Sequence, residues 1–135
     1  MTDMPTTDDE WRQRLDPKRF QVLRQAGTEP AWTGELLGEK RSGTFICGAC
    51  GQPLFASETK FESGSGWPSF WEALDPEAVE ILEDRKFGMT RVEVRCSRCH
   101  SHLGHVFPDG PKPSGQRYCM NSLALDFEPF ELAGD

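Results

Sequence analysis

Four of the five cysteines in this chain come in two equal spacings, Cys47-Gly48-Ala49-Cys50 and Cys96-Ser97-Arg98-Cys99. No other feature limits the fold as strongly. A C-x-x-C turn carries two sulfurs to one side of a tight loop, and two such turns complete a tetrahedral set of four thiolates, the donor set zinc favours. Residues 51–95 lie between the pairs, more than the roughly 15–20 residues of a compact zinc ribbon, so a substantial insert separates the knuckles. Each pair follows a β-like run (44–46 and 90–95), as a knuckle at the end of a hairpin would. Three other readings stand beside this one. A thioredoxin-like redox pair wants a βαβ context, which neither unit has. Cys96 to His100 spells the C-x-x-C-H of haem attachment, which leaves Cys47 and Cys50 unexplained. Unrelated core cysteines would need two matched pairs by chance. A zinc held by four thiolates has no open position, so it would be structural and would contribute on the order of 10 kcal/mol to folding.

The rest of the chain is read around that anchor. Its 135 residues fit one domain, expected over residues 8–132 behind a flexible stretch at 1–7. Fifteen Lys+Arg against 22 Asp+Glu give a net charge of −7, which argues against nucleic acid as a partner. No apolar run approaches the roughly 18 residues of a membrane span. The acidic start has no apolar h-region, and the cysteine count is odd. A cytoplasmic chain without a disulfide framework is the expectation. Thr7 and Glu10 have capping-box spacing, and Asp16-Pro17 reads as an N-cap followed by proline at the first helical position. Two short helices are therefore expected within 8–26, the second with Phe20, Val22, Leu23 and Ala26 on its apolar face and Gly27 as its stop. Beyond Gly27 the pattern turns to short strands at 44–46, 53–56, 78–82, 90–95, 106–107, 117–125 and 127–132. Gly88 marks a hairpin between the fourth strand and the third. The fold class is mainly antiparallel β with a helical N-terminus.

Removing the quartet leaves Cys119, in Arg117-Tyr118-Cys119-Met120-Asn121. On a strand, Arg117, Cys119 and Asn121 share a face, and a guanidinium beside a thiol favours the reactive thiolate. The alternative is a buried structural cysteine, since the same face of an unbroken strand would continue into Leu123, Leu125 and Phe127. All three histidines fall within Cys99-His100-Ser101-His102-Leu103-Gly104-His105. They can serve as general acids. Strict alternation puts His102 and His105 on opposite faces, and a bulge at Gly104 would bring both inward. The loop Ser63-Gly64-Ser65-Gly66-Trp67-Pro68-Ser69-Phe70 offers Trp67 and Phe70 either as an aromatic wall for a methyl or thioether group or as pins into the core.

Taken together, Thr28-Glu29, Gly34, both C-x-x-C units, Gly66-Trp67-Pro68-Ser69-Phe70, the run from His102 to Gly110 and Arg117-Tyr118-Cys119-Met120-Asn121-Ser122 closely resemble the B-type methionine sulfoxide reductases, over roughly residues 10–130. The resemblance implies a fold of two antiparallel sheets with short N-terminal helices (the β-tent arrangement) and a distant Cys₄ zinc. It implies thiol-dependent reduction of methionine-R-sulfoxide in proteins, a repair of oxidative damage. Cys119 would be the nucleophile. His102, His105 and Asn121 would bind or protonate the sulfoxide oxygen. Trp67 would meet the substrate methyl, with Phe70 and Arg117 also at the substrate. Many family members carry a resolving cysteine where this chain has Ser65. With Cys47, Cys50, Cys96 and Cys99 on zinc, Cys119 has no partner, so an external thiol is expected to reduce it, thioredoxin first and glutathione or glutaredoxin after. A monomer without nucleic-acid or membrane partners completes the expectation. A binding module on the same scaffold, a zinc-ribbon nucleic-acid binder and an S-epimer reductase are the rivals. The first has no use for the nucleophile set, and the second conflicts with the charge.

Overall fold

The computed structural model describes residues 4, 5, 7–86 and 88–130, with side chains at 84, 86 and 89 left aside. Two helices open the chain: α1 (Asp8–Arg14) and α2 (Pro17–Gln25). The Thr7 hydroxyl accepts from the Glu10 backbone N–H at 3.2 Å and donates to its carboxylate at 3.1 Å, so Thr7 caps α1 as expected. Asp16 accepts from Arg19 N–H at 3.0 Å ahead of Pro17. Trp11, Phe20, Val22 and Leu23 are buried. Ala26, expected on the same face, is exposed: it ends α2 in the left-handed conformation at φ 54°. Gly27 follows rather than forms that cap. Its N–H returns to Gln21 O at 2.9 Å, and a Cβ there would press on the same carbonyl. Upstream, Pro5 is buried and Met4 packs against the core; residues 1–3 and 6 of the expected flexible stretch lie outside the described residues.

Among the described residues nine strands follow, in two antiparallel sheets. β1 (Gly43–Cys47) and β2 (Pro53–Ala56) form a hairpin, and β9 (Leu125–Pro129) pairs with the other edge of β1. The second sheet runs β3-β4-β8-β7-β6-β5. It comprises β3 (Lys60–Phe61), β4 (Ser69–Phe70), β5 (Val79–Lys86), β6 (Met89–Cys96), β7 (His102–Phe107) and β8 (Arg117–Met120). Gly88, at φ 73°, turns the β5–β6 hairpin as expected. Between the sheets lies an aromatic core: Phe70 stacks on Phe55 with centroids 4.5 Å apart and meets Phe45 edge-on at 4.9 Å.

The strand expected over 117–125 is not continuous. β8 stops at Met120 and a 3-10 turn occupies Ser122–Ala124 before β9 begins. Asn121 N–H still makes a β7–β8 rung, to Leu103 O at 2.9 Å, and the turn follows at once, with Ala124 N–H on Asn121 O at 3.0 Å. Leu123, Leu125 and Phe127 therefore do not continue the face that carries Cys119, which removes the argument for a purely structural cysteine there. The tail strand expected to reach 132 ends at Pro129 among the described residues; 131–132 lie outside them. The short β3 and β4 were not legible as strands, having only two residues each.

Candidate active site and metal centre

The two knuckles are one turn built twice. Gly51 N–H bonds Cys47 O at 2.9 Å, and His100 N–H bonds Cys96 O at 2.8 Å. Gly51 and His100 occupy equivalent left-handed positions at φ 83° and 63°. His100 is thus a turn residue. Its Nδ1 meets the Glu80 carboxylate at 2.6 Å on the surface, away from the other two histidines and from any haem-like role. The first knuckle hangs on the β1–β2 hairpin and the second on β6–β7, so their meeting joins the two sheets. The four sulfurs of Cys47, Cys50, Cys96 and Cys99 all lie within 4.8 Å of one another. Cys47–Cys99 and Cys50–Cys96 are 3.7 and 3.6 Å apart, against the separation of about 3.8 Å that a tetrahedron with Zn–S near 2.3 Å requires. Donor chemistry and spacing both fit a metal ion. The thiols perturb each other: Cys47 is pushed up chiefly by its contacts with Cys50 and Cys96, while Cys50 is drawn down by Cys47 and Cys96.

The second site is built across the larger sheet. Cys119 lies in β8 between two neighbours, with Ser69 of β4 opposite it on one side and His105 of β7 on the other. β7 and β8 approach closely at Gly104, where a side chain would collide with the Cys119 carbonyl. The β6–β7 register slips: Arg95 faces His102 while Val94 faces Gly104, leaving Leu103 as the extra residue. The bulge expected at Gly104 thus falls one residue earlier, and Gly104 serves the close approach instead. The slip brings both histidines to one side, with ring centroids 5.4 Å apart. The carbonyl of the bulged Leu103 is taken up by Asn121, from its N–H at 2.9 Å and its Nδ2 at 3.1 Å.

A cavity of about 230 Å³ opens over Cys119, lined by His105, Trp67, Asn121, Arg117, Ser65 and Thr28 among others. Of the expected substrate contacts, Trp67 and Arg117 are here and Phe70 is not. Phe70 pairs with Tyr118, next to the Ser69–Cys119 pair, so alternation turns it to the opposite face of the sheet, where it is fully buried. Trp67 thus lines the cavity, while Phe70 is a pin into the core. His102 stands behind His105 and lines an adjoining cavity of about 210 Å³ with Glu93 and Arg95. Its Nδ1 is 2.6 Å from the Glu93 carboxylate, both groups buried. Burial would raise the Glu93 pKa, but hydrogen bonds and charge from Arg95 and His102 outweigh it and hold the carboxyl below its ordinary value. Glu93 is therefore an acceptor, and His102 Nδ1 must donate to it.

Arg117 does less for Cys119 than the sequence implied. Its guanidinium is forked onto Asp109 at 2.9 and 3.2 Å and lies over the Phe107 ring at 4.5 Å. Burial pushes the Cys119 thiol up from its ordinary value; Ser65, whose hydroxyl is 3.8 Å away, and Arg117 pull the other way and do not win. The expected bias towards thiolate is corrected accordingly.

Two residues outside the expected site hold it together. Glu93 is one; its signal in the sequence was a lone carboxylate between two valines on a strand. Glu29 is the other. Its N–H donates to Asn121 Oδ1 at 3.0 Å, its carbonyl accepts from Trp67 Nε1 at 2.9 Å, and its carboxylate accepts from Leu123 N–H at 2.8 Å. Gly34 is required beside it, because a Cβ there would clash with the Ser122 hydroxyl and the Glu29 carboxylate.

Fold and site together define a two-sheet, cysteine-clamped β protein with a thiol, an imidazole and an indole in one cavity. The SelR domain matches residues 15–129, and the chain belongs to that family, together with the peptide methionine sulfoxide reductases named MsrB. It is 64% identical to the MsrB of Leifsonia xyli subsp. xyli over 124 residues, 91% of this chain and 89% of that one. The Thiobacillus denitrificans protein of the same name is 56% identical over 95% of this chain and 97% of its own. The Methanosarcina barkeri one is 52% identical over 93% and 88%. Among solved structures, the Mis18 'Yippee-like' domain superposes with a TM-score of 0.54 at 18% identity, covering 68% of this chain and all (100%) of that domain. That likeness concerns the fold alone. Among the described residues no helix is long and apolar enough to cross a membrane.

Proposed function

We propose that this chain reduces methionine-R-sulfoxide in oxidised proteins to methionine, with Cys119 as nucleophile. The observation that carries the reading is the shared cavity, in which the Cys119 thiol, the His105 ring and the Trp67 indole face one space large enough for a single side chain. The Cys119 thiolate attacks the sulfoxide sulfur while the oxygen is protonated from the His105 side. The attack forms an S–S bond as the protonated oxygen leaves as water; water then adds to the Cys119 sulfur as the S–S bond breaks, so methionine departs with its sulfur two electrons richer and Cys119, two electrons poorer, is left as a sulfenic acid. His102, held by Glu93, backs His105. Asn121 spends both ends of its amide on Glu29 and Leu103, so it shapes the cavity and keeps the bulge in place. The Trp67 N–H is committed to Glu29, which sets the ring as a wall for the methyl group. R selectivity then follows from methyl at the indole and oxygen at His105.

An external thiol completes the cycle: it condenses with the sulfenic acid, releasing water, and a second thiol resolves the mixed disulfide. Ser65 stands nearest as a hydroxyl, and the other four cysteines form the quartet, which supports this route. Thioredoxin is the first candidate, with glutathione or glutaredoxin after it. The quartet would hold one structural zinc, whose chemistry is to pin the two hairpins together. A monomer in a reducing, cytoplasmic setting suits five unbridged cysteines. The test offers blocked methionine R- and S-sulfoxides with dithiothreitol to wild type and Cys119→Ser. R-selective turnover that drops at least about a thousandfold in the variant is expected; S-selective turnover, or an unimpaired variant, defeats the reading.

A further inference from the structure

Trp32 is 66% exposed and takes a left-handed backbone at φ 71°, a conformation that is a genuine outlier for a bulky residue. The conformation is locked. Its N–H donates to Gly66 O at 2.7 Å, and Thr33 caps the turn with its hydroxyl on Pro30 O at 2.6 Å. Gly66, itself at φ 93°, is pressed so tightly that a Cβ there would stand 2.7 Å from Ala31 Cβ and 3.1 Å from Trp32 Cε2. Strain and tight fit thus serve to place a large apolar ring in solvent. Core packing does not account for it, because the ring is not in the core.

Its position does account for it. Gly66 lies between Ser65 and Trp67, which line the Cys119 cavity, and Thr28 of the Trp32 segment lines it too. Segments 28–32 and 65–67 form one hydrogen-bonded rim. The cavity admits one side chain, so the residues flanking an oxidised methionine must cross that rim. An open groove of about 540 Å³ continues past Ser65 and Arg117, walled by Phe61, Glu62, Gly64 and Asp109, giving an extended chain a path onward.

We propose that Trp32 is a recognition contact for polypeptide substrate, its indole packing against an apolar side chain next to the oxidised methionine. The inference rests on the reductase reading and adds a source of preference for protein-bound over isolated methionine sulfoxide. The test compares wild type, Trp32→Gly (which suits the left-handed backbone) and Trp32→Phe. Substrates are N-acetyl-methionine-R-sulfoxide amide and two hexapeptides with that residue flanked by leucine or by glutamate, all reduced with dithiothreitol. Trp32→Gly should raise KM for the leucine peptide about fivefold to tenfold, the weight of one aromatic contact. It should leave kcat, and both parameters for the blocked amino acid, unchanged, and Trp32→Phe should restore most of the loss. Equal KM for the leucine peptide in wild type and Trp32→Gly overturns the inference while leaving the reductase reading intact. So does a defect seen only with thioredoxin in place of dithiothreitol, which would make Trp32 a reductant contact, or a wild-type dimer lost in the variant, which would make it a self-contact. Failure of wild type on every substrate would instead overturn the reductase reading itself.

Discussion

The cysteines lie in two places in this molecule, and their surroundings differ. At the knuckles, four sulfurs crowd within 4.8 Å, contributed by hairpins of different sheets, with backbone N–H groups folding each turn around them. At β8 a single thiol lies across from a histidine and a serine, with an open cavity above it. The first arrangement suits one metal ion held by all four donors. The second keeps one thiol apart from the other four and surrounds it with groups able to move protons or hold apolar matter. Isolation from other thiols, more than local charge, distinguishes the cysteine proposed as nucleophile, since burial here works against ionisation and Arg117 is spent on Asp109.

The division can be broken at the knuckles. Cys50→Ser, or chelation of a metal from the quartet, should unfold the protein, because ion binding contributes on the order of 10 kcal/mol to folding. Loss of circular dichroism and of activity should coincide, with about one zinc per chain found beforehand by elemental analysis. A folded, inactive, metal-free protein would instead assign the quartet a part in the chemistry. Phe70→Ala tests the other border. A core ring at zero exposure predicts a loss of about 3–5 kcal/mol in denaturant unfolding. KM for substrate should stay level under conditions where the variant is folded.

What the sequence made legible follows the same border. The knuckles were readable because each is a local turn: spacing alone puts two sulfurs together, and the flanking β-like runs place them at hairpin ends. Thr7 and Asp16 were readable as caps for the same reason, since each bonds a neighbour three residues on. The candidate active-site cavity was legible through resemblance and only partly through pattern. His102 and His105 share a side because of a register slip at Leu103, and the strand that carries Cys119 gives way to a turn at Ser122–Ala124. Alternation encodes neither the slip nor the turn. Glu29 was seen as part of a motif, but its three links to Trp67, Asn121 and Leu123 exist only once the 28–38 segment crosses the sheet. Phe70 was misplaced because its neighbour Ser69, not Phe70 itself, faces Cys119.

Glu93 sharpens the contrast on the reactive side. Glu93→Gln keeps the shape but removes the carboxylate that accepts from His102 Nδ1. With His102 then free to lose its preferred tautomer, kcat should fall about tenfold to a hundredfold, and the alkaline limb of the kcat profile, where the proton donor is lost, should move to lower pH, since an imidazolium loses its counter-charge. A change in thermal stability alone, with an unmoved profile, would make Glu93 a structural residue. Glu93 also carries a stability signature. Its folded pKa lies below its ordinary value, so its contribution is present above that value and lost as pH falls through the folded one; Gln should flatten that part of the acid-denaturation curve.

The smallest expected effect isolates the thiol itself. Burial raises the Cys119 pKa, and the contact with Ser65 is foremost among the influences that lower it. Ser65→Ala should therefore push the thiol further up, since the thiolate loses a hydrogen-bond donor. At neutral pH the thiolate fraction then falls, and alkylation of Cys119 by iodoacetamide should slow about threefold to tenfold. The difference should close as pH rises above both thiol pKa values, because every thiol is then ionised. Sulfoxide reduction should follow the alkylation rate if attack limits turnover with saturating dithiothreitol. Equal alkylation rates across the pH range would show that Ser65 does not touch the ionisation, and that the isolation of Cys119 extends even to its nearest hydroxyl.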